Sequence, residues 1–150
     1  MPHSFGKLLY HVIFSTKMRR PVISQSWREK LHAYMHGIVE NHGGRLHRAG
    51  GPADHVHLAV ELKNDLAVAE AVGIVKANSS KWIHETFHDS RDFAWQTGYA
   101  AFTVSFSGLE DLIRYIDNQE EHHRKVTFEE ELGTFLKRHG IQYDERYWLG

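Results

Sequence analysis

Apolar and polar residues alternate along this chain in two periods, and each period predicts a kind of element. Leu8 to Ser15 is apolar and β-rich, which predicts a strand, and a basic loop with Pro21 follows it. From about Trp27 to Asn41 the apolar residues Leu31, Tyr34, Met35, Ile38 and Val39 recur at helical spacing, with Ser26 as the expected cap and Gly43-Gly44 as the stop. Arg45 to Ala49 reads as a short strand. Gly50-Gly51-Pro52 is a turn, and His55 to Leu62 is the next strand, antiparallel to its predecessor. A second helix capped by Asn64 or Asp65 is expected to run to about His84 or Phe87, with Leu66, Val68, Val72, Val75 and Trp82 available for burial. Gly98 to Phe106 predicts a fourth strand. Ser107 then introduces a helix over about Leu109 to His123, and a last helix spans Phe128 to His139 before Gly140.

The resulting order, β-α-β-β-α-β, is the ferredoxin-like, split βαβ pattern of an α+β fold. It predicts an antiparallel sheet with two helices on one face and an added C-terminal helical arm. Residues 1–150 show no linker, repeat or low-complexity stretch and read as one domain, and the aromatic, mixed-charge tail Ile141 to Gly150 is expected to dock rather than stay disordered.

Composition narrows the chemistry. With no cysteine there is no disulfide framework, thiolate metal site or cysteine nucleophile, which fits a cytoplasmic setting. The segment Met1 to Lys7 lacks the apolar stretch of an export signal, and no run approaches membrane-spanning length. A net charge of −1 is not the strongly basic balance usual for DNA-binding domains, but the positive charges are clustered. Lys17, Arg19 and Arg20 gather in one loop and Arg45 and Arg48 on one strand; these five are candidates for phosphate contacts. Lys76 and Lys81 on the second helix are further ones.

Two short patterns carry the candidate chemistry. In Asp54-His55-Val56-His57-Leu58-Ala59-Val60 two imidazoles stand at i and i+2, so a strand points both rings to one face and Val56 to the other. In Tyr115-Ile116-Asp117-Asn118-Gln119 a phenol and an amide stand at i and i+4, neighbours on one side of a helix. If that helix crosses the strand, two nitrogens and an oxygen converge beside a tyrosine hydroxyl, a divalent-metal site with its own nucleophile. Singly, each half is weak: thirteen histidines make one H-x-H expected about once by chance. Tyr115 alone would be read as packing, and Gln119 as solvated surface.

Together with their surroundings, these residues resemble the single-tyrosine HUH transposases of bacterial insertion sequences, a family that includes the REP-associated tyrosine transposases. His55-Val56-His57 matches the His-hydrophobic-His signature, and Tyr115 to Gln119 with His122-His123-Arg124-Lys125 resembles the nucleophile helix. The likeness extends to Tyr10–Lys17, to Trp95–Tyr99 with Phe102–Ser105, and to Gly140–Tyr147. The resemblance implies that His55, His57 and Gln119 bind Mg²⁺ or Mn²⁺. It implies that Tyr115 attacks single-stranded DNA, giving a 5′-phosphotyrosine and a free 3′-OH at hairpin-bearing ends. It also implies a homodimer in which the tyrosine helix can serve the partner's site. His11 is expected to be a packed strand histidine, and His122 and His123 receive no role.

Three other readings compete. His84-Glu85-Thr86-Phe87-His88 is a literal H-E-x-x-H, the zinc-metalloprotease pattern, but it lacks the longer extension and an obvious third ligand. A non-catalytic nucleic-acid-binding module would leave Tyr115 idle. A domesticated transposase would keep the chemistry in a host role.

Overall fold

The computed structural model describes residues 4–144. Its elements follow the order β1 (Leu8–Ser15), α1 (Arg28–Asn41), β2 (Arg45–Gly50), β3 (His55–Leu62), α2 (Val68–Thr86), β4 (Ala100–Val104), α3 (Leu109–Asp117), α4 (Gln119–His122) and α5 (Phe128–Arg138). The sheet order is β2-β3-β1-β4, with every neighbouring pair antiparallel, so the expected β-α-β-β-α-β arrangement forms.

Alternation along the two central strands divides the core. Val12 and Phe14 of β1 and Val56, Leu58 and Val60 of β3 face α1 and α2, where they join Leu31, Met35, Val72 and Ile83. The opposite face carries Leu9, Ile13 and Ala59 together with the imidazoles of His11, His55 and His57. The two expected helices, α1 and α2, thus share one face. The arm closes over the second face: Leu109 and Ile116 of α3 pack on Leu9 and Ala59, and Phe128, Leu132 and Leu136 of α5 pack on Ile13 and Phe102. Both faces of the sheet are covered because each central strand buries residues in both directions.

Several local expectations also shift. Ser26, Ser107 and Asn64 or Asp65 do not cap; the cap positions are Trp27, Gly108 and Ala67, none with a side-chain cap bond. The fourth strand is shorter than Gly98 to Phe106. The helix expected over Leu109 to His123 breaks at Asn118 (φ −99, ψ 18), whose N–H bonds back to the carbonyls of Arg114 and Tyr115. Of the tail, Tyr143 packs against the α5 cluster, while residues 145–150 lie outside the described residues.

Candidate active site between the sheet and the C-terminal helices

Backbone geometry sets the start of β3. Gly51 sits at φ +147, where a Cβ would run into the His55 carbonyl, so the turn closes tightly enough to aim His55 at the second face. Thr16 holds the other side: its N–H donates to the Asp54 carbonyl at 2.9 Å. In register, Ser15 stands opposite His55 and Ile13 opposite His57.

Both imidazoles are fully buried and each has a partner at Nδ1. His55 Nδ1 donates to Asp54 Oδ1 at 2.8 Å, and His57 Nδ1 lies 2.7 Å from His11 Nε2. These partners fix ring orientation and direct both Nε2 atoms at the arm. His11, expected as packing, thus also orients His57; its own ring stacks near His57 and meets Phe135 edge-on. Burial, reinforced by the charge of His57, lowers the His11 pKa to about 3. Burial likewise lowers His57 to about 4, against the pull of Glu131. For His55 burial also lowers the pKa, but the hydrogen bonds from Asp54 and Glu131 and their charges outweigh it and raise the net value.

The arm brings the remaining groups. Gln119 is almost fully buried; its Oε1 lies 3.3 Å from His55 Nε2 and its Nε2 donates to Glu131 Oε2 at 3.1 Å. The Tyr115 ring lies 5.7 Å from that of His57, centroid to centroid, and its hydroxyl donates to Glu131 Oε2. The four residues singled out as the site, His55, His57, Tyr115 and Gln119, are therefore neighbours within one chain.

Between them stands a residue that sequence reasoning missed. The Glu131 side chain is 1% exposed, and its Oε1 lies 3.1 Å from His57 Nε2, 3.3 Å from His55 Nε2 and 3.1 Å from His123 Nε2. His122 Nε2 is 3.3 Å from its other oxygen. Burial alone would push the Glu131 carboxyl up, but hydrogen bonds from His123, His55 and His57 outweigh it and hold the group well below the usual carboxylate range. Tyr115 moves the other way: burial and then the adjacent Glu131 carboxylate raise its hydroxyl well above the usual phenol value. One signal for Glu131 existed in the sequence. It falls on the stripe Phe128, Leu132, Phe135 of an amphipathic helix, where an acid is out of place.

The donor chemistry suits a divalent ion. One ligand atom each from His55, His57, His123 and Glu131 lies within 4.8 Å of the others, and ligands about 2.1 Å from an ion stand roughly 3.4 Å apart around a tetrahedron. The residues present fit a divalent ion, and two of them, His55 and His57, are ligands that the resemblance implies.

The basic candidates are not gathered there. Arg19 pairs with Glu129 at the start of α5, and Arg48 lies 3.4 Å from Asp117. Lys17 and Arg20 are exposed in the loop after β1, whereas Arg45 is exposed at the far end of β2, opposite Glu61. Lys76 is turned away from solvent, donating to the carbonyls of Gln96 and Gly98 at 2.9 and 2.5 Å, which argues against a DNA contact. Lys81 is exposed on α2. The H-E-x-x-H reading also loses its ligand: His84 Nε2 donates to the Phe93 carbonyl at 2.6 Å, and α2 stops at Thr86 before His88. Among the described residues no helix is long and apolar enough to cross a membrane.

Comparison with known proteins places this chain in a class of DNA-processing enzymes, the transposases. Residues 4–119 match the family described as "Transposase IS200 like", and the chain belongs to that family. The transposase for insertion sequence element IS200 from Salmonella typhimurium is 27% identical over 123 residues, spanning 77% of this chain and 80% of the relative; the protein of the same description from Salmonella typhi matches equally. Among solved structures, a candidate transposase from Deinococcus radiodurans R1 superposes with a TM-score of 0.66 at 24% identity, covering 79% of this chain and 95% of that one. A REP-associated tyrosine transposase bound to a REP hairpin superposes with a TM-score of 0.61 at 12% identity, covering 84% and 74%. These two likenesses establish the fold.

Proposed function

We propose that this transposase cleaves and rejoins hairpin-bearing single-stranded DNA through Tyr115, with Mg²⁺ or Mn²⁺ held by His55, His57 and Gln119. The observation that carries this reading is the meeting, in one chain, of the Tyr115 ring with His57 and of the Gln119 amide with His55. When bound, the ion supplies positive charge that polarises the scissile phosphate and stabilises the leaving oxygen. Asp54 and His11 hold the two imidazoles in the orientation this needs. The Tyr115 oxygen forms a bond to phosphorus as the bond to the 3′ oxygen breaks; the phenol gives up its proton and the departing oxygen takes one, leaving a 3′-OH. The resulting phosphotyrosine stores the bond energy for rejoining. Lys17, Arg19, Arg20, Arg45 and Arg48 are proposed to position the strand by its phosphates, in the cytoplasm and in a homodimer. The hairpin as substrate is supported by the hairpin bound to the REP-associated relative.

The test is incubation with hairpin-bearing single strands and Mn²⁺, followed by a search for a covalent protein–DNA band. The band is expected to vanish in Tyr115→Phe and to drop severely in His57→Ala. Normal cutting by Tyr115→Phe would assign the nucleophile elsewhere.

A further inference from the structure

The rings meant to meet a phosphodiester are fully buried beneath α5, and the space a phosphate needs holds a carboxylate. Two oxygens of Glu131 contact the two strand imidazoles, His123, the Gln119 amide and the Tyr115 hydroxyl. A scissile phosphate would offer the same features to the same groups: a compact anion with oxygens for the metal and a position beside the nucleophile. Glu131 also sits on an element with its own small core. α5 rests on the small cluster of Ile13 and Phe102, apart from the larger core under α1 and α2, and Arg19 grips its first turn through Glu129.

We propose that Glu131 and His123 are additional metal ligands that close the ion site while no DNA is bound, and that DNA enters by displacing Glu131 together with α5. This rests on the metal reading given above and extends it. The closed set, three imidazoles and one carboxylate beside the Gln119 amide, favours transition ions such as Mn²⁺ or Zn²⁺ over Mg²⁺. The separations of 3.1 to 3.3 Å from Glu131 Oε1 to the three nitrogens are already those of donors around a single ion. Opening removes the Glu131 carboxylate, leaves His123 in place after α4 and exposes the Tyr115 hydroxyl to the strand.

Mn²⁺ binding to the full chain, read by electron paramagnetic resonance of the free ion without DNA, provides the test, paired with hydrogen exchange over residues 128–138. In the unmodified protein Mn²⁺ is expected to slow exchange in α5, and a hairpin-bearing single strand is expected to restore fast exchange while Mn²⁺ stays bound. Glu131→Gln and His123→Ala are each expected to weaken Mn²⁺ binding about tenfold or more, and Glu131→Gln to abolish the protection of α5. Exchange in α5 that ignores Mn²⁺ would overturn the proposal from the unmodified protein alone, whatever the variants do. If His57→Ala loses Mn²⁺ but Glu131→Gln keeps full affinity, the closing ligand is refuted and the metal reading stands. If His57→Ala itself binds normally, the metal reading fails first.

Discussion

At the residue scale, burial of a titratable ring is informative only with its partners. His55 and His57 are satisfied at both nitrogens, whereas His32 on α1 has a buried Nε2 with no hydrogen-bond partner. An unpaired buried donor or acceptor costs about 1–3 kcal/mol. Burial, helped by the charge of Arg28, lowers the His32 pKa to about 4. Because the folded value lies below the unfolded one, the neutral ring contributes stability above pH 6.5 that is lost as pH falls toward 4. His32→Leu is therefore expected to raise the urea midpoint, and by more at pH 5 than at pH 7.5. His11 and His57 titrate in the same direction but are common to both proteins, so they cancel in the comparison. A difference that stays constant with pH would show that the ring is not titrating with folding. Single residues also show where the sequence signal was faint. His55-Val56-His57 announces itself through the two-residue period of a strand. Glu131 stands on an apolar stripe, but as third in a run of acids at a helix start, where negative charge is ordinary, it is masked. Its neighbours have unrelated tasks: Glu129 pairs with Arg19 and Glu130 completes a capping box with Thr127.

At the scale of elements, the strands and helices were legible because each has a hydrophobic period, and placement of the arm was not, because α3 and α5 are amphipathic on their own account. Their stripes say that they dock, not on which face. Packing supplies that. Gly50 on β2 lies tight against α3: a Cβ there would stand 2.6 Å from Ile116 Cγ2 and 3.0 Å from the Ile116 carbonyl oxygen. Ile116 is the neighbour of Tyr115, so Gly50→Ala is expected to push the tyrosine helix outward and reduce covalent adduct formation at least tenfold. The melting temperature should fall by only a few degrees, corresponding to about 1–3 kcal/mol. Equal losses of folding and adduct would mean that the glycine merely serves the strand. The α5 stripe gives a second case. Leu132→Ala removes a buried side chain worth about 2–5 kcal/mol, charged against the docking of α5 rather than against the main core. Hydrogen exchange in α5 is expected to speed up by more than tenfold, with β1 and β3 barely affected. Uniform acceleration throughout the sheet would mean that α5 is not a separable unit.

For the whole molecule, the arrangement of the arm decides which chain supplies the nucleophile. A helical segment that follows a complete sheet domain is free, on sequence grounds, to reach a second subunit. In this structure it folds back: the α3–α4 break at Asn118 and the docking of α5 leave Tyr115, Gln119, His123 and Glu131 on the strand imidazoles of their own chain. One protomer of this structure thus brings together the imidazoles, Tyr115 and Gln119 that the proposed reaction uses. An equimolar mixture of Tyr115→Phe and size-tagged His57→Ala chains, tested with Mn²⁺ and a hairpin-bearing strand, discriminates the two layouts. With the arm used in its own chain, no adduct is expected on the tagged His57→Ala protein beyond what that variant makes alone, because its intact tyrosine serves only its own crippled site. Exchange of arms between subunits would restore the adduct on the tagged chain, delivered to the intact imidazoles of the Tyr115→Phe partner. The size of the tag makes the outcome readable from one denaturing gel, since the untagged chain lacks a nucleophile and stays unlabelled in either case.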